Sequence, residues 1–177
     1  MRQFIPGLFT SKLRYALPLV GTIWGLQYYT GREPVKYAMT KADLQSLQTL
    51  QRQAAILLSP PPSKPDLRST RSILEETGWA SVNQLIALTT ITTTLRTIES
   101  GRPRVLAEEL VFMKNTRTRH TSLKIPRIRL NICLETFINQ ATRLYNELPE
   151  DLKKLDGSKS QKNMLAKWVM NNIIQKP

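Results

Sequence analysis

Apolar residues recur every three or four positions along most of this chain, and prolines or glycines interrupt each run. The clearest run follows Thr40 and carries Leu44, Leu47, Leu50, Ala54, Leu57 and Leu58, with Gln45, Gln48, Gln51 and Arg52 mostly beside that stripe. This spacing is typical of one face of an α-helix. Three prolines after Ser59 predict where the helix ends, because proline lacks the amide hydrogen and clashes with the preceding turn.

Helix-capping patterns follow the prolines. Ser72-Ile-Leu-Glu75 and Ser81-Val-Asn-Gln84 both resemble capping boxes, in which side chains satisfy the first amides of a helix. Gly78 stands where a left-handed residue would end the first of these helices, and Gly101 supplies a stop for the second. Six threonines in the second helix lower its intrinsic helix preference, so a strand stays the alternative for residues 89–97.

Four more stretches show helical spacing. They are a kinked helix over residues 8–27, a short helix after Pro103 with Leu106, Leu110 and Met113, a helix over residues 137–148, and a last helix over residues 160–174. The sequence therefore predicts a mainly α fold. We expect a bundle-like array of about six helices with one short basic extended segment or small hairpin.

Positive charge is concentrated in the second half of the chain. The whole chain has a net charge of +13, and between Arg102 and Arg129 eight basic residues face two acidic ones. Such an excess favours polyanionic partners. Pro126 within this stretch argues for an edge or a loop rather than a central strand. The candidate nucleic-acid contacts are Lys114, Arg117, Arg119, His120, Lys124, Arg127 and Arg129.

The amino-terminal stretch is basic and has no acidic residue before Glu33. Such a composition is shared by mitochondrial presequences, which stay an alternative to a buried helix. No apolar stretch reaches the roughly 20 residues that span a bilayer, so no membrane insertion is expected. The expected location is intracellular, in the nucleus or the cytoplasm.

The residues for catalysis or metal binding are not grouped in the sequence. Cys133 is the only cysteine, the four aspartates are scattered, and Glu75-Glu76 and Glu108-Glu109 lie on predicted helices where neighbours diverge. His120 is the sole histidine and is flanked by Arg119, which would lower its basicity. We expect neither an enzyme nor a cofactor or metal ion.

Several motifs, taken in order, resemble the region after the catalytic palm in reverse transcriptases of non-LTR (LINE-like) retrotransposons. They are Ser11-Lys-Leu-Arg-Tyr15 with Trp24-Gly25, Leu47-Gln-Thr-Leu-Gln-Arg-Gln-Ala54, Ile73-Leu-Glu-Glu-Thr-Gly-Trp79 with Ser81-Val82, Gly101-Arg-Pro103 before Leu106, Leu123-Lys-Ile-Pro-Arg127, and Arg143-Leu-Tyr-Asn-Glu-Leu-Pro149. Together they cover about residues 4–170. Tyr145 stands where the family often has tryptophan.

The resemblance implies a piece of an RNA-directed DNA polymerase that lacks the paired catalytic aspartates. Residues 1–60 would be a thumb-like helical region, 61–70 a proline-rich linker, and 71–177 a post-thumb helical region. The motif residues expected to be structural are Trp24, Gly78, Trp79, Tyr145, Leu148 and Pro149. The partner implied is RNA or an RNA–DNA duplex, held by its phosphates. Packing on an upstream palm, or an inactive remnant, are the alternatives.

Overall fold

Helices account for 76% of the residues that the structure describes, which confirms the mainly α fold. The computed structural model describes residues 41–58, 68–113, 121–127, 136–154 and 159–172. Its helices are α1 (Lys41–Leu58), α2 (Thr70–Thr77), α3 (Val82–Ser100), α4 (Arg104–Glu109), α5 (Phe137–Glu147), α6 (Glu150–Lys153) and α7 (Lys159–Asn172). The predicted helix over residues 8–27 lies outside the described residues.

Helix α3 is the centre of the fold and packs against α1, α4, α5 and α7. It is a helix despite its threonines, so the strand alternative for residues 89–97 is wrong. The hydroxyls of Thr89, Thr92 and Thr94 each donate to the carbonyl four residues earlier, at 2.7 Å. The hydroxyl therefore needs no partner on another element, and the methyl group remains for packing.

The ends of α2 and α3 follow local capping chemistry. Ser81 and Gln84 form the predicted capping box, and Gly78 and Gly101 adopt left-handed backbones with φ of 68° and 66°. The capping box predicted at Ser72 is wrong, because α2 begins three residues earlier and the Ser69 hydroxyl accepts from the Ser72 amide. The side chain of Glu75 pairs with Arg71 instead.

Helix α1 begins and ends near the predicted positions but buries a different face. Leu44 is buried, whereas Leu50 and Leu57 are 54% and 80% exposed. Gln51 and Ala55 are buried instead, and Gln51 Nε2 donates to the Ala80 carbonyl at 2.7 Å. The predicted stripe through Leu50 and Leu57 is therefore wrong, because a hydrogen-bonded glutamine occupies the face toward α2 and α3.

The core divides into two clusters. The larger one joins α1, α3, α5, α6 and α7 and includes Leu110 and Leu123 from the extended stretches. The smaller one consists of Ala55, Ile73 and Leu74, with Ile56 and Trp79 packed against it. Met113, predicted on the helix after Pro103, lies beyond α4 in an extended stretch and is exposed. The division of the chain into domains stays a prediction.

The different burial of two leucines on α1 is testable. We expect Leu44→Ala to lower the free energy of unfolding by about 2–5 kcal/mol, because it leaves a cavity in the larger cluster. Leu50→Ala should change it by no more than about 0.5 kcal/mol, because that side chain is exposed. Both variants replace leucine by alanine on one helix, so helix propensity cancels. Urea denaturation measures the difference, and equal losses would contradict this burial pattern.

Candidate nucleic-acid interface

The seven predicted phosphate contacts divide between described and undescribed stretches. Lys124 and Arg127 lie in the described segment 121–127, and both side chains are exposed. Outside the described residues lie Lys114, Arg117, Arg119, His120 and Arg129. Within the described ranges neither Lys124 nor Arg127 takes part in an ion pair. Their charges are therefore available to a polyanion, and we call segment 121–127 the basic strap.

The basic strap is fixed on one side by a short antiparallel pairing with residues 111–113. Phe112 and Leu123 form a bridge in which the Met113 amide donates to the Ser122 carbonyl at 2.8 Å. The Lys124 amide donates to the Val111 carbonyl at 2.7 Å. The expected short extended segment or hairpin is therefore present as this single bridge in the described part of the chain.

On its other side, the strap is held by the side chain of Asn146 on α5. Asn146 Oδ1 accepts from the Leu123 amide at 2.8 Å, and Nδ2 donates to the Leu123 carbonyl at 2.9 Å. The primary amide thus pairs with Leu123 as a neighbouring strand would. Leu123 is completely buried, so both backbone groups need these partners.

A second anchor joins the start of the strap to α6, which follows Pro149. Glu150 Oε1 accepts from the Thr121 amide at 3.2 Å, and Lys153 Nζ donates to the Thr121 carbonyl at 2.8 Å. Lys153 also donates to Glu150 Oε1 at 2.8 Å. The Lys153 side chain is only 5% exposed, and these oxygens compensate its charge. The hydrogen bond from Lys153 lowers the pKa of Glu150 below its ordinary value of 4.5.

Tyr145 links the second anchor to the bridge residue Phe112. Lys153 Nζ lies 5.3 Å from the centre of the Tyr145 ring, and the Phe112 ring lies 6.2 Å from it, edge to face, at 73°. Burial, followed by the charge of Glu150, raises the pKa of Tyr145, so the phenol stays neutral at physiological pH. The tyrosine ring therefore has a packing role, and its hydroxyl does not act as an acid or base.

The predicted structural motif residues occupy two different regions. Leu148 is buried in the larger cluster, and Pro149 immediately precedes α6. Gly78 ends α2, and Trp79 packs on the smaller cluster, away from the strap's anchors. Trp24 lies outside the described residues. The structure therefore brings motifs 123–127 and 143–149 together through Asn146, which the sequence interpretation did not single out.

Asn146 and Phe112 are the site residues that the sequence interpretation missed. Asparagine is unfavourable inside a helix, so its presence near the end of an otherwise regular helix was a signal for a specific hydrogen-bonding role. For Phe112 the signal was weaker. It follows a short helix, and its pairing with Leu123 depends on a contact across ten intervening residues.

The described residues form neither a metal-binding cluster nor a membrane-spanning helix. Within the described ranges, no three His, Cys, Asp or Glu side chains are grouped so that they could hold a metal ion. In the same part of the chain, no helix is long and apolar enough to cross a membrane. Glu75, Glu76 and Glu108 form surface ion pairs with Arg71, Arg68 and Arg104, respectively.

Comparisons with protein-family models, with curated proteins and with solved structures found no match to this chain.

The Asn146 pairing with Leu123 makes a testable contribution to stability. We expect Asn146→Ala to lower the free energy of unfolding by about 1–3 kcal/mol, because it leaves two buried backbone groups unpaired. Asn171→Ala, at an exposed position of α7, is the matched control and should have little effect. Urea denaturation measures both variants. Equal, small losses would show that the Asn146 pairing contributes nothing.

The Glu150 carboxylate predicts a specific sensitivity to acid. Because its pKa is lowered in the folded protein, its stabilisation is present above pH 4.5 and is lost as pH falls through the folded-state pKa. The free energy of unfolding of Glu150→Gln should therefore fall less between about pH 6 and about pH 3 than that of the natural chain. Glu108→Gln, an exposed acid, is the control. Parallel pH curves for Glu150→Gln and the natural chain would contradict this role.

Proposed function

We propose that this chain is a non-catalytic nucleic-acid-binding module that holds a polynucleotide by its backbone phosphates. The observation that supports this most directly is the basic strap, a doubly anchored segment in which Leu123 is buried while the lysine and arginine side chains remain exposed. A rigid base reduces the conformational entropy that phosphate binding would cost. The net charge of +13 adds long-range attraction for a polyanion.

The wider proposal is that the module is a thumb and post-thumb piece of a non-LTR retrotransposon reverse transcriptase. In that setting it would help to hold the template–primer, and it would act in the nucleus or the cytoplasm. Two motifs on which the resemblance rests, 123–127 and 143–149, contact each other through Asn146 and Leu123. This contact supports the resemblance because separate weak motifs then form one structural unit.

The proposed role does not include catalysis. Two-metal nucleotidyl transfer needs carboxylates that converge on the metal ions. Of the acidic pairs in the sequence, Glu75, Glu76 and Glu108 take part in arginine ion pairs on helix surfaces. These contacts favour their interpretation as solvated surface charges. Any polymerase activity would have to come from another polypeptide segment.

Binding should depend strongly on salt and on the exposed strap cations. We expect the full chain to bind an RNA–DNA duplex at low salt, with log K falling linearly as log salt rises. Lys124→Ala combined with Arg127→Ala should reduce that slope by about one to two units, because each phosphate contact contributes about 0.9 unit. Fluorescence anisotropy over a salt series measures the slope.

The charge-matched control is Lys162→Ala with Lys167→Ala, at exposed positions on α7. It removes the same net charge and should change both the affinity and the slope much less than the strap variant does, because these lysines are not expected to contact phosphates. An equal slope change in both double variants would mean that net charge, and not the strap, governs binding. No binding at low salt would refute the proposed function.

The second candidate function is structural, as a piece that packs on a separate palm domain. The exposure of Leu50 and Leu57, one above the other on α1, favours this candidate because large apolar side chains on one helix face often mark a contact. The salt series distinguishes the two functions. A chain that serves only as a packing piece would not bind the duplex at low salt.

A further inference from the structure

We infer that the surface beside the basic strap accepts an unpaired nucleobase on the ring of Phe112, so that the preferred partner is a single-stranded polynucleotide. This inference rests on the proposed function and specifies its partner. Phe112 is 41% exposed, although its backbone lies directly opposite the completely buried Leu123. A large aromatic side chain that stays this exposed on a rigid pairing is suited to stacking.

The ring of Phe112 is held in place before any ligand arrives. The Phe112–Leu123 bridge is flanked by two backbone hydrogen bonds of 2.7 and 2.8 Å, which fix the position of its Cα. The ring itself contacts Tyr145 edge to face, and Tyr145 is buried under Lys153. A base that stacks on Phe112 would therefore bind a preorganised ring, with little side-chain entropy lost.

Positive charge lies in the strap segment that pairs with Phe112, although Lys124, one residue from Leu123, extends from the opposite face of the bridge. The Lys124 amide donates to the carbonyl of Val111, so the lysine is attached one residue from the bridge that carries Phe112. Arg127 follows three residues later and is also exposed. Neither segment 110–113 nor segment 121–127 contains an acidic residue. A nucleotide with its base on Phe112 would therefore meet no opposing charge from either segment.

The apolar neighbours of Phe112 favour a single strand over a duplex. Ile125, two residues from Leu123, lies on the same face of the bridge as Phe112 and is exposed. Val111 and Met113 are exposed too, but they lie on the opposite face, one residue to either side of Phe112. A duplex presents mainly phosphates and sugars and keeps its base faces stacked inside, so it would leave these groups unused. A single strand presents both phosphates and base faces, and each stacked base adds about 1–3 kcal/mol of binding.

An extended peptide is the competing occupant, because residues 111–113 are extended at the bridge and a peptide could pair with extended backbone. Such a peptide would bind through the Phe112 backbone and would not need the aromatic ring. The strong net positive charge favours a polynucleotide over an uncharged peptide strand. The two occupants therefore predict different responses to replacement of the ring.

The test compares an intact single-stranded oligonucleotide with an abasic strand of the same length and phosphate number. We expect the full chain to bind the intact strand more tightly than the abasic one. Phe112→Leu should weaken binding to the intact strand on the order of tenfold, because stacking is lost, and leave the abasic strand unaffected. Phe112→Trp, which keeps an aromatic face, should retain the natural preference. Met113→Leu is the control for an apolar change beside the site.

Each other outcome has a distinct meaning. Equal binding of the intact and abasic strands, unchanged by Phe112→Leu, overturns the stacking inference but leaves phosphate binding in place. Equal weakening of both strands by Phe112→Leu would assign the ring a purely structural role and also overturns the inference. If Phe112→Leu lowers thermal stability, Phe112→Trp decides the question. Loss of the preference for the intact over the abasic strand in Phe112→Trp would then contradict stacking. Absence of binding to either strand at low salt refutes the proposed function itself.

Discussion

The hydroxyl groups of Thr89, Thr92 and Thr94 bond to carbonyls of their own helix, α3, and this favours the packing of the other helices against it. A helix in contact with α1, α4, α5 and α7 has little surface left for solvent, so each of its polar groups needs a partner. Thr94 is fully buried, and its hydroxyl donates to the Thr90 carbonyl at 2.7 Å. The outward surface of such threonines is largely their methyl groups, against which neighbouring helices can pack. Serine or asparagine there would lack that methyl group.

The candidate interface depends on the same core. Leu110, two residues before Phe112, and Leu123, its partner in the bridge, belong to the larger cluster together with Leu144 and Leu148 of the α5 region. Burial of these leucines fixes the two extended stretches against α5, and Asn146 then satisfies the backbone that burial would leave unpaired. The exposed side chains of Phe112, Lys124 and Arg127 are therefore attached to backbone segments that the core holds in place.

The helices could be predicted from the sequence wherever local chemistry decides the structure. Ser81 with Gln84, Gly78 and Gly101 act through their own backbone neighbours, so their roles were readable without any knowledge of the fold. The buried face of α1 could not be predicted from the sequence, because Gln51 Nε2 finds its hydrogen-bond acceptor on Ala80, 29 residues away. Apolar spacing alone predicts that Leu50 is buried and Gln51 exposed. The hydrogen bond to Ala80 makes burial of Gln51 more favourable.

The candidate site was predictable to a smaller extent. Charge and Pro126 correctly indicated an exposed, basic, extended segment around Lys124 and Arg127. The groups that hold this segment come from α5 and α6, and no spacing rule links Asn146 to Leu123 or Lys153 to Thr121 across 23 and 32 positions. The exposure of Phe112 cannot be predicted from the sequence for the same reason, because it depends on the pairing with Leu123.

The two kinds of interaction at this interface differ in their response to salt. The anchors consist of a neutral amide pairing at Asn146 and a Glu150–Lys153 pair whose lysine is almost completely buried, and salt screens buried pairs weakly. The side chains of Lys124 and Arg127 are exposed, and salt competes with any phosphate they contact. Rising salt would therefore release a polynucleotide before it loosened the strap. A fall in affinity with salt can then be attributed to phosphate contacts rather than to partial unfolding of the site.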